Sequence, residues 1–436
     1  MIKAKRAKSN LWITGILLLS NTFLFAQNNN SLSIERCYML AEQNYPLIKQ
    51  YALLEQSRDF NLTNTARAWL PQIALNAKAT YQSDVTKITL DFSQVPIPAL
   101  SDLKIPELSK DQYGITLEIL QTLWDGGTTK ARSEQIRAQS LVEDEELNVN
   151  LYAVKERINQ LFFGILMSDA LLEQNRIFQN ELQQNFVRVK SLIDGGLANM
   201  SDLDAVKVEQ LKAKQLATQI LYNRKAYLTM LSAFTGKKLD ETIMLQKPVI
   251  QQTLSIKNVR PELSLFDSKS ALFETQNSLI KAELRPKFGL FLTGGYGNPG
   301  LNMLENGFTP YYIGGVRISW NISSFYTYKN RMSELNIKQN SLAVQRETFL
   351  FNSNLQATSK QNEIEKYHGL LADDDEIIAL RQSVKRATEA KVSNGTATIS
   401  DLIRETNAEA LAKQDKILHE LEMLQAIYNL KFITNN

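Results

Sequence analysis

The sequence predicts an α+β fold in which four amphipathic β-strands alternate with long coiled-coil helices and one structural unit occurs twice. Three observations predict this fold. Apolar and polar side chains alternate in four short segments, each about the length of a membrane-spanning strand. Proline-free stretches carry apolar residues in steps of three and four, the spacing of coiled coils. Matching residues recur at a fixed offset along the chain.

The N-terminal residues 1–26 read as a secretory signal peptide rather than as part of the fold. Basic residues precede the apolar run LWITGILLL, and Ala26 ends an acceptable cleavage site. An N-terminal membrane anchor is the alternative. Residues 1–26 contain four basic residues and no acidic ones, so the rest of the chain has 49 − 4 = 45 basic and 46 acidic residues. This near balance removes any charge argument for nucleic-acid binding.

The duplication is clearest at two predicted helical turns. LIDGGLANMSDL, residues 192–203, matches KVSNGTATISDL, residues 391–402, at an offset of 199. At this offset Tyr113, Lys130 and Arg132 match Tyr312, Lys329 and Arg331. Towards the N-terminus the offset is 215, where Pro46, Pro71 and Tyr81 match Pro261, Pro286 and Tyr296. The difference is a longer loop in the first copy, so we assign 27–245 and 246–436 to two structural repeats with the same order of elements.

Each repeat is predicted to contain two strands, near 71–82 and 112–123 and near 286–297 and 312–323. In QIALNAKATY the apolar Ile73 and Leu75 face away from Asn76 and Lys78. A hairpin packed on a soluble core is the alternative for the strands taken alone.

The predicted helices argue against a soluble core. We expect helices at 33–69, 128–194, 201–234 and 261–284, with the second copy repeating the long helix, the turn and the return helix. The helix at 128–194 would be a rod on the order of 100 Å long. Such rods have no place in a globular domain, so they must pack against each other or against other copies.

The ordered set of segments resembles the TolC-like outer-membrane efflux protein family across essentially the whole mature chain. The resemblance is carried by the turns GLANMSDL and GTATISDL, the strand-to-helix junction TLWDGG and the segment AWLPQIAL. Thr122 and Trp124 depart from the Pro and Phe of the family pattern, and the second junction lacks its glycines.

The resemblance implies a homotrimer with a 12-stranded β-barrel in outer-membrane lipid, continued by an α-helical barrel in the periplasm. It implies a passive exit channel of a tripartite efflux or type I secretion system. Such a channel docks a periplasmic adaptor (membrane fusion) protein and, through it, an inner-membrane pump. A trimeric coiled-coil stalk or adhesin without a pore is the alternative. The exported substrate, whether drug, metal ion or protein, stays open.

Candidate site residues follow from this arrangement. For the periplasmic tips that would dock the adaptor, we expect tight turns at Gly195, Gly196 and Gly395 and helix caps at Ser201 and Ser400. For the barrel lumen we expect Lys78, Glu118 and Arg317. Because Glu118 and Arg317 are equivalent at the offset of 199, they would form a nearly neutral ring in a trimer.

Two further sets complete the predicted sites. The resemblance places Asp401, and with a weaker match Asp202, at a periplasmic entrance gate, with Arg404 three residues after Asp401. Aromatic residues at the predicted strand ends indicate belts at the membrane interfaces. They are Trp69, Tyr81, Tyr113, Trp124, Tyr296, Tyr312 and Trp320.

The remaining residues predict no chemistry. No nucleophile–base pair, phosphate-binding loop or Cys/His cluster is present in the sequence, so we expect no enzyme activity, cofactor or metal site. Cys37 is the single cysteine and is interpreted as a helix-face residue rather than a lipidation site. His368 and His419 are interpreted as solvated surface residues.

Overall fold

The computed structural model describes residues 31–86, 108–249 and 257–435. The predicted signal peptide and most of the longer loop of the first repeat lie outside these residues. None of the helices in this part of the chain is long and apolar enough to cross a membrane.

Thirteen helices and strands follow one another along these residues. They are β1 Ser31–Leu32, α1 Ile34–Asn44, α2 Gln50–Ala66, β2 Gln72–Tyr81, β3 Asp111–Trp124, α3 Thr128–Asp194, α4 Met200–Thr235, β4 Met244–Leu245, α5 Pro261–Glu283, β5 Lys287–Asn298, β6 Thr309–Ser319, α6 Ser324–Ser393 and α7 Ile399–Thr434.

The four longer strands form one antiparallel sheet in the order β2-β3-β5-β6. In the first hairpin Ile73 pairs with Ile119, and in the second Phe288 pairs with Ile318. Adding 215 to 73 and 199 to 119 gives 288 and 318, so the two hairpins have the same register. The edge strands β2 and β6 have no strand partner on their outer sides within the described residues.

The helices continue from the sheet as one elongated layer. α3 has 67 residues and α6 has 70, so each is on the order of 100 Å long. Helix contacts run from α2 to α3, from α3 to α5 and from α5 to α6, which is the order of the strands. Farther from the sheet α4 packs on α3 and α7 packs on both α6 and α3. Each repeat therefore gives two strands and two helical rods, one of which is assembled from two shorter helices.

The main core lies midway along the rods, where α1, α3, α4 and α7 meet. Phe162, Phe163 and Leu231 are fully buried there, as coiled-coil spacing predicts. Cys37 is fully buried in the same cluster. Burial, with a smaller contribution from Glu35, raises the pKa of its thiol to about 12. This thiol is therefore packed as a small apolar group and is not presented for lipid attachment.

The predicted single helix at 33–69 is wrong, because the chain breaks at Pro46. Tyr45 is extended, with ψ 128°, since a residue before proline is disfavoured in the helical region. A 3₁₀ turn at Pro46–Lys49 then leads into α2. The Asn44 side chain donates hydrogen bonds to the carbonyl oxygens of Leu40 and Thr235, which fixes the break against the end of α4.

Arg224 attaches the segment between the repeats to the rods. Its side chain is 9% exposed and forms an ion pair with Asp169 of α3. It also donates to the carbonyl oxygens of Glu241, at 2.9 Å, and Ile243, at 3.2 Å. One buried guanidinium thus satisfies two backbone carbonyls and one carboxylate, so its loss leaves all three without this donor.

We expect Arg224→Met to release this segment without unfolding the rods. Limited trypsin digestion should cleave after Lys237 or Lys238 several-fold faster than in the wild type, because opening exposes this backbone. Arg176→Met, which removes an exposed ion pair with Glu173 on α3, is the control and should leave the rate unchanged. Equal rates in all three proteins would show that Arg224 does not hold the segment.

Candidate functional site

The sheet has one apolar face that no other part of the described chain covers. Paired residues point to the same side, and on this side the cross-strand rows are apolar, as in Leu75–Leu117 and Leu290–Val316. Ile73, Leu75 and Val316 are each about two-thirds exposed or more, at 67%, 71% and 67%. A contiguous apolar surface of this kind marks contact with a membrane or another protein.

The seven belt residues lie at the two ends of this apolar face and are all exposed. Tyr81, Tyr113, Tyr296 and Tyr312 lie at the end away from the helices. Trp69, Trp124 and Trp320 lie at the end where the helices begin. The indole N–H of Trp320 donates to the carbonyl oxygen of Leu284, at 2.9 Å. Amphipathic rings at both edges of an apolar band match the two water interfaces of a bilayer.

The opposite face carries the three predicted lumen residues, because Lys78 pairs with Gly114, Glu118 with Thr293 and Arg317 with Gly289. Glu118 and Arg317 share this face but not a cross-strand row. The row of Glu118 reaches β6 at Ile313, four residues before Arg317. Four residues span about 13 Å along a strand. Because the strands of a closed barrel are tilted relative to its axis, residues with such a stagger on nearby strands can lie at the same height. Their common height in a closed barrel stays a prediction.

The two helical turns farthest from the sheet, the tips, have the same backbone. Gly196 has φ 72° and Gly395 has φ 71°, the left-handed conformation that favours glycine. In each tip the next N–H donates back into the helix, from Leu197 to Leu192 and from Thr396 to Lys391, at 2.8 Å. These are Schellman C-caps. Gly195 also lies in the turn, but its φ is −88°, which any residue can adopt, and Asn394 takes its place in the second tip.

The predicted serine caps are also wrong. α4 and α7 begin one residue earlier than expected, at Met200 and Ile399, which leaves Ser201 and Ser400 inside the first turn. Asn199 and Thr398 are the N-caps. The signal was present in the sequence, because a Thr or Asn followed three residues later by an acidic residue is the spacing of a capping box.

The two predicted gate aspartates are the acidic members of these boxes. Asp202 accepts from the N–H of Asn199 at 2.9 Å, and Asp401 accepts from the N–H of Thr398 at 3.0 Å. Arg404 lies 3.2 Å from Asp401. The hydrogen bond from the Thr398 hydroxyl is the main cause that lowers the pKa of Asp401, with Arg404 contributing less. Asp401 is therefore a charged, capped and partly neutralised carboxylate at neutral pH.

An ionic network that the sequence did not predict joins the two helical hairpins near the tips. Lys385 of α6 pairs with Glu181 of α3 and, at 2.6 Å, with Glu409 of α7, which Lys413 also contacts at 2.5 Å. Burial alone would raise the pKa of Glu409, but the hydrogen bonds from the two lysines outweigh burial and lower it. No local pattern identifies the two pairs of Lys385, because their members are 204 (385 − 181) and 24 (409 − 385) positions apart.

The surface interpretation of His419 is also wrong. Its Nδ1 lies 2.8 Å from the buried carboxylate of Asp374, one of four consecutive acidic residues at 373–376 in α6. The described residues contain no group of His, Cys, Asp and Glu that could hold a metal ion.

Comparison with solved structures identifies this architecture. The outer-membrane channel OprN has a TM-score of 0.68 at 13% identity, covering 92% of this chain and 89% of its own. VceC of Vibrio cholerae has a TM-score of 0.66 at 12% identity, and the match covers 92% of this chain and 96% of VceC. The open state of the MtrE outer-membrane channel of Neisseria gonorrhoeae has a TM-score of 0.65 at 11% identity, and the match covers 92% of this chain and 89% of MtrE.

The chain has the fold of these outer-membrane channels. No family model and no curated protein sequence matches it, so the likeness is one of structure. In this channel fold the four strands form part of a β-barrel and the rods form part of an α-helical barrel, which is the predicted fold class.

The tip caps give a matched test of the corrected helix starts. We expect Thr398→Ala to destabilise the first turn of α7 by about 1 kcal/mol, because the Asp401 N–H loses its acceptor. Ser400→Ala should change the stability by less than about 0.5 kcal/mol, since this serine caps nothing. Amide hydrogen exchange of residues 399–403 measures both effects. Equal exchange in the two variants would contradict the assigned cap.

Proposed function

We propose that this protein is the outer-membrane exit channel of a tripartite efflux or type I secretion system. The observation that carries the proposal is an apolar, aromatic-bordered sheet face joined without interruption to two rods on the order of 100 Å long. A sheet in lipid leaves no backbone group unpaired, so its strands must close into a barrel. The rods then extend the conduit into the periplasm.

Three copies supply the twelve strands of the proposed barrel. A single four-stranded sheet is far too small to enclose a pore, since even eight strands enclose an interior that side chains fill. The channel has no energy source of its own. An adaptor at the tips would connect it to an inner-membrane pump, which would determine most of the substrate selectivity.

The alternative, a trimeric coiled-coil stalk or adhesin without a pore, does not account for the sheet. A stalk requires neither four strands with an exposed apolar face nor polar side chains such as Lys78 and Arg317 on the reverse face. Conductance of the purified protein in planar bilayers separates the two functions. Discrete single-channel steps support the channel, whereas a trimer that inserts and never conducts would contradict it.

The tips are the proposed adaptor contact. Apart from its two chain neighbours, no described residue lies within 4 Å of the position that a Cβ would occupy at Gly196 or Gly395, so both turns are open to a partner. We expect Gly196→Trp with Gly395→Trp to abolish export in cells while folded trimers remain in the outer membrane. Trimer amount on non-denaturing gels and export of a reporter substrate measure the two effects. Wild-type export would refute a docking role.

The gate prediction uses the Asp401–Arg404 ion pair. In a narrowed trimer three Asp401 carboxylates would attract cations, and Arg404 would reduce that attraction. We expect Asp401→Asn to weaken, and Arg404→Gln to strengthen, the block of single-channel current by hexaamminecobalt(III) added at the tip side. Ser400→Ala is the neutral control. Equal block in all four proteins would show that the constriction lies elsewhere.

A further inference from the structure

The contact between neighbouring copies of the chain can be derived from the duplication. The two hairpins obey the offsets of 215 and 199 in their register, so β5 is equivalent to β2 and β6 to β3. The pairing of β3 with β5 inside the chain is therefore the template for pairing β6 of one copy with β2 of the next. These are the two open edges of the sheet.

The helices present the same two open edges. α6 exposes Ile337, Val344 and Phe351, and α2 exposes Leu53 and Phe60, all at the seven-residue spacing of coiled coils. In the helix layer α2 and α6 are the outermost members. Sheet and rods therefore both indicate that the partner covering these edges is a second copy of this chain.

The template fixes the register across this seam. Glu118 pairs with Thr293 inside the chain. Adding 199 to 118 gives 317, and subtracting 215 from 293 gives 78, so Arg317 lies opposite Lys78 of the partner subunit. The faces agree: Val316, on the apolar face, then lies opposite the apolar-face Ala79. A slip of one residue would place Arg317 on an apolar row.

The seam thus brings together two cations that have no carboxylate partner. Among the described residues neither Lys78 nor Arg317 forms an ion pair. Both are exposed on the polar face. Side chains directly opposite on neighbouring strands have Cβ atoms about 5 Å apart, so one small anion can contact both heads. Solvation of the lumen keeps their mutual repulsion small when no anion is bound.

Glu118 does not neutralise this pair. It lies two strands, about 10 Å, across the sheet from Arg317 and four residues, about 13 Å, along it. The two groups are therefore about 16 Å apart, which exceeds the screening length of about 8 Å at physiological ionic strength. The ammonium of Lys78 of the partner subunit is one strand away. Inside the chain the equivalent pair between β3 and β5 is Glu118 with Thr293, which contains no cation. In a trimer the three β6–β2 seams would therefore carry cation pairs, whereas the three β3–β5 contacts would not.

We infer that each seam between subunits carries an anion-binding site on the lumen face, formed by Arg317 of one copy and Lys78 of the next. Its ligands are small oxyanions, phosphate or carboxylate groups, whether free or part of a passing substrate. The inference rests on the proposed trimeric channel. In three copies six cations and three Glu118 carboxylates make this level of the barrel net positive, not neutral as Glu118 and Arg317 alone predict.

The register is tested first, by disulfide cross-linking in a Cys37→Ala background. Asn76→Cys with Ser319→Cys places the two thiols directly opposite, two residues from the cationic pair, on the same face. Mild oxidation of membranes should convert this double variant into covalent trimers on non-reducing gels. Ala74→Cys with Ser319→Cys, two residues out of register, should cross-link poorly. The reverse result would overturn the inference.

The anion site is tested by reversal potentials of single channels in a KCl gradient. We expect Lys78→Gln and Arg317→Gln each to lower the chloride-to-potassium permeability ratio by about twofold, and Glu118→Gln to raise it. Lys237→Gln removes the same charge from the exposed segment after α4 and should leave the ratio unchanged. Inorganic pyrophosphate should block the wild type more strongly than the Lys78→Gln, Arg317→Gln double variant.

The outcomes separate the inference from the proposed function. Absence of any conductance in the wild type would refute the channel, whereas the cross-link would still report the seam. Normal conductance with unchanged permeability ratios and unchanged pyrophosphate block in the glutamine variants would overturn the anion site. Lys78→Arg and Arg317→Lys keep the charge and should restore wild-type ratios.

Discussion

The unpaired backbone at the two edges of the sheet is the constraint on which the rest of this structure depends. Within the described residues β2 and β6 each present N–H and C=O groups along one side, and in the proposed channel the apolar face of the same sheet lies in lipid. Hydrocarbon offers these groups no partner, so the edges must meet other edges. Both the duplicated unit and the open helix layer follow from this requirement, because equivalent edges can join equivalent edges around a closed ring.

In the proposed channel the rods meet a second requirement, which is to support the strands and to extend far from the membrane. α3 and α6 leave the sheet directly after β3 and β6, and the shorter helices return along them. The long coiled-coil contacts between the helices supply an apolar core, which a single layer of sheet cannot form by itself. The ionic network around Lys385 and Glu409 then fixes the two hairpins relative to each other near the tips.

The parts predictable from sequence were those with a strong period. Alternation located the four strands, although the last one runs Thr309–Ser319 and not 312–323 as expected. Three-and-four spacing located the rods, and paired motifs located the tips, because each pattern repeats over many residues. The end of a helix depends on single hydrogen bonds, so Ser201 and Ser400 were mistaken for caps that Asn199 and Thr398 provide. The break at Pro46 was missed because helical periodicity continues on both sides of the proline. Contacts such as Arg224 with Asp169 or His419 with Asp374 join distant segments and leave no local signal.

The exposed apolar face also constrains how the protein can fold and assemble. In the proposed channel, a single chain that had not yet inserted into the membrane would expose that face, both sheet edges and the coiled-coil stripes of α2 and α6 to water at the same time. Such a species is prone to aggregation, since exposed strand edges pair with any available strand. Folding, insertion and assembly must therefore be concerted or escorted. The amount of assembled protein then depends steeply on the concentration of subunits, because subunits without a stable folded monomer gain their stability from one another.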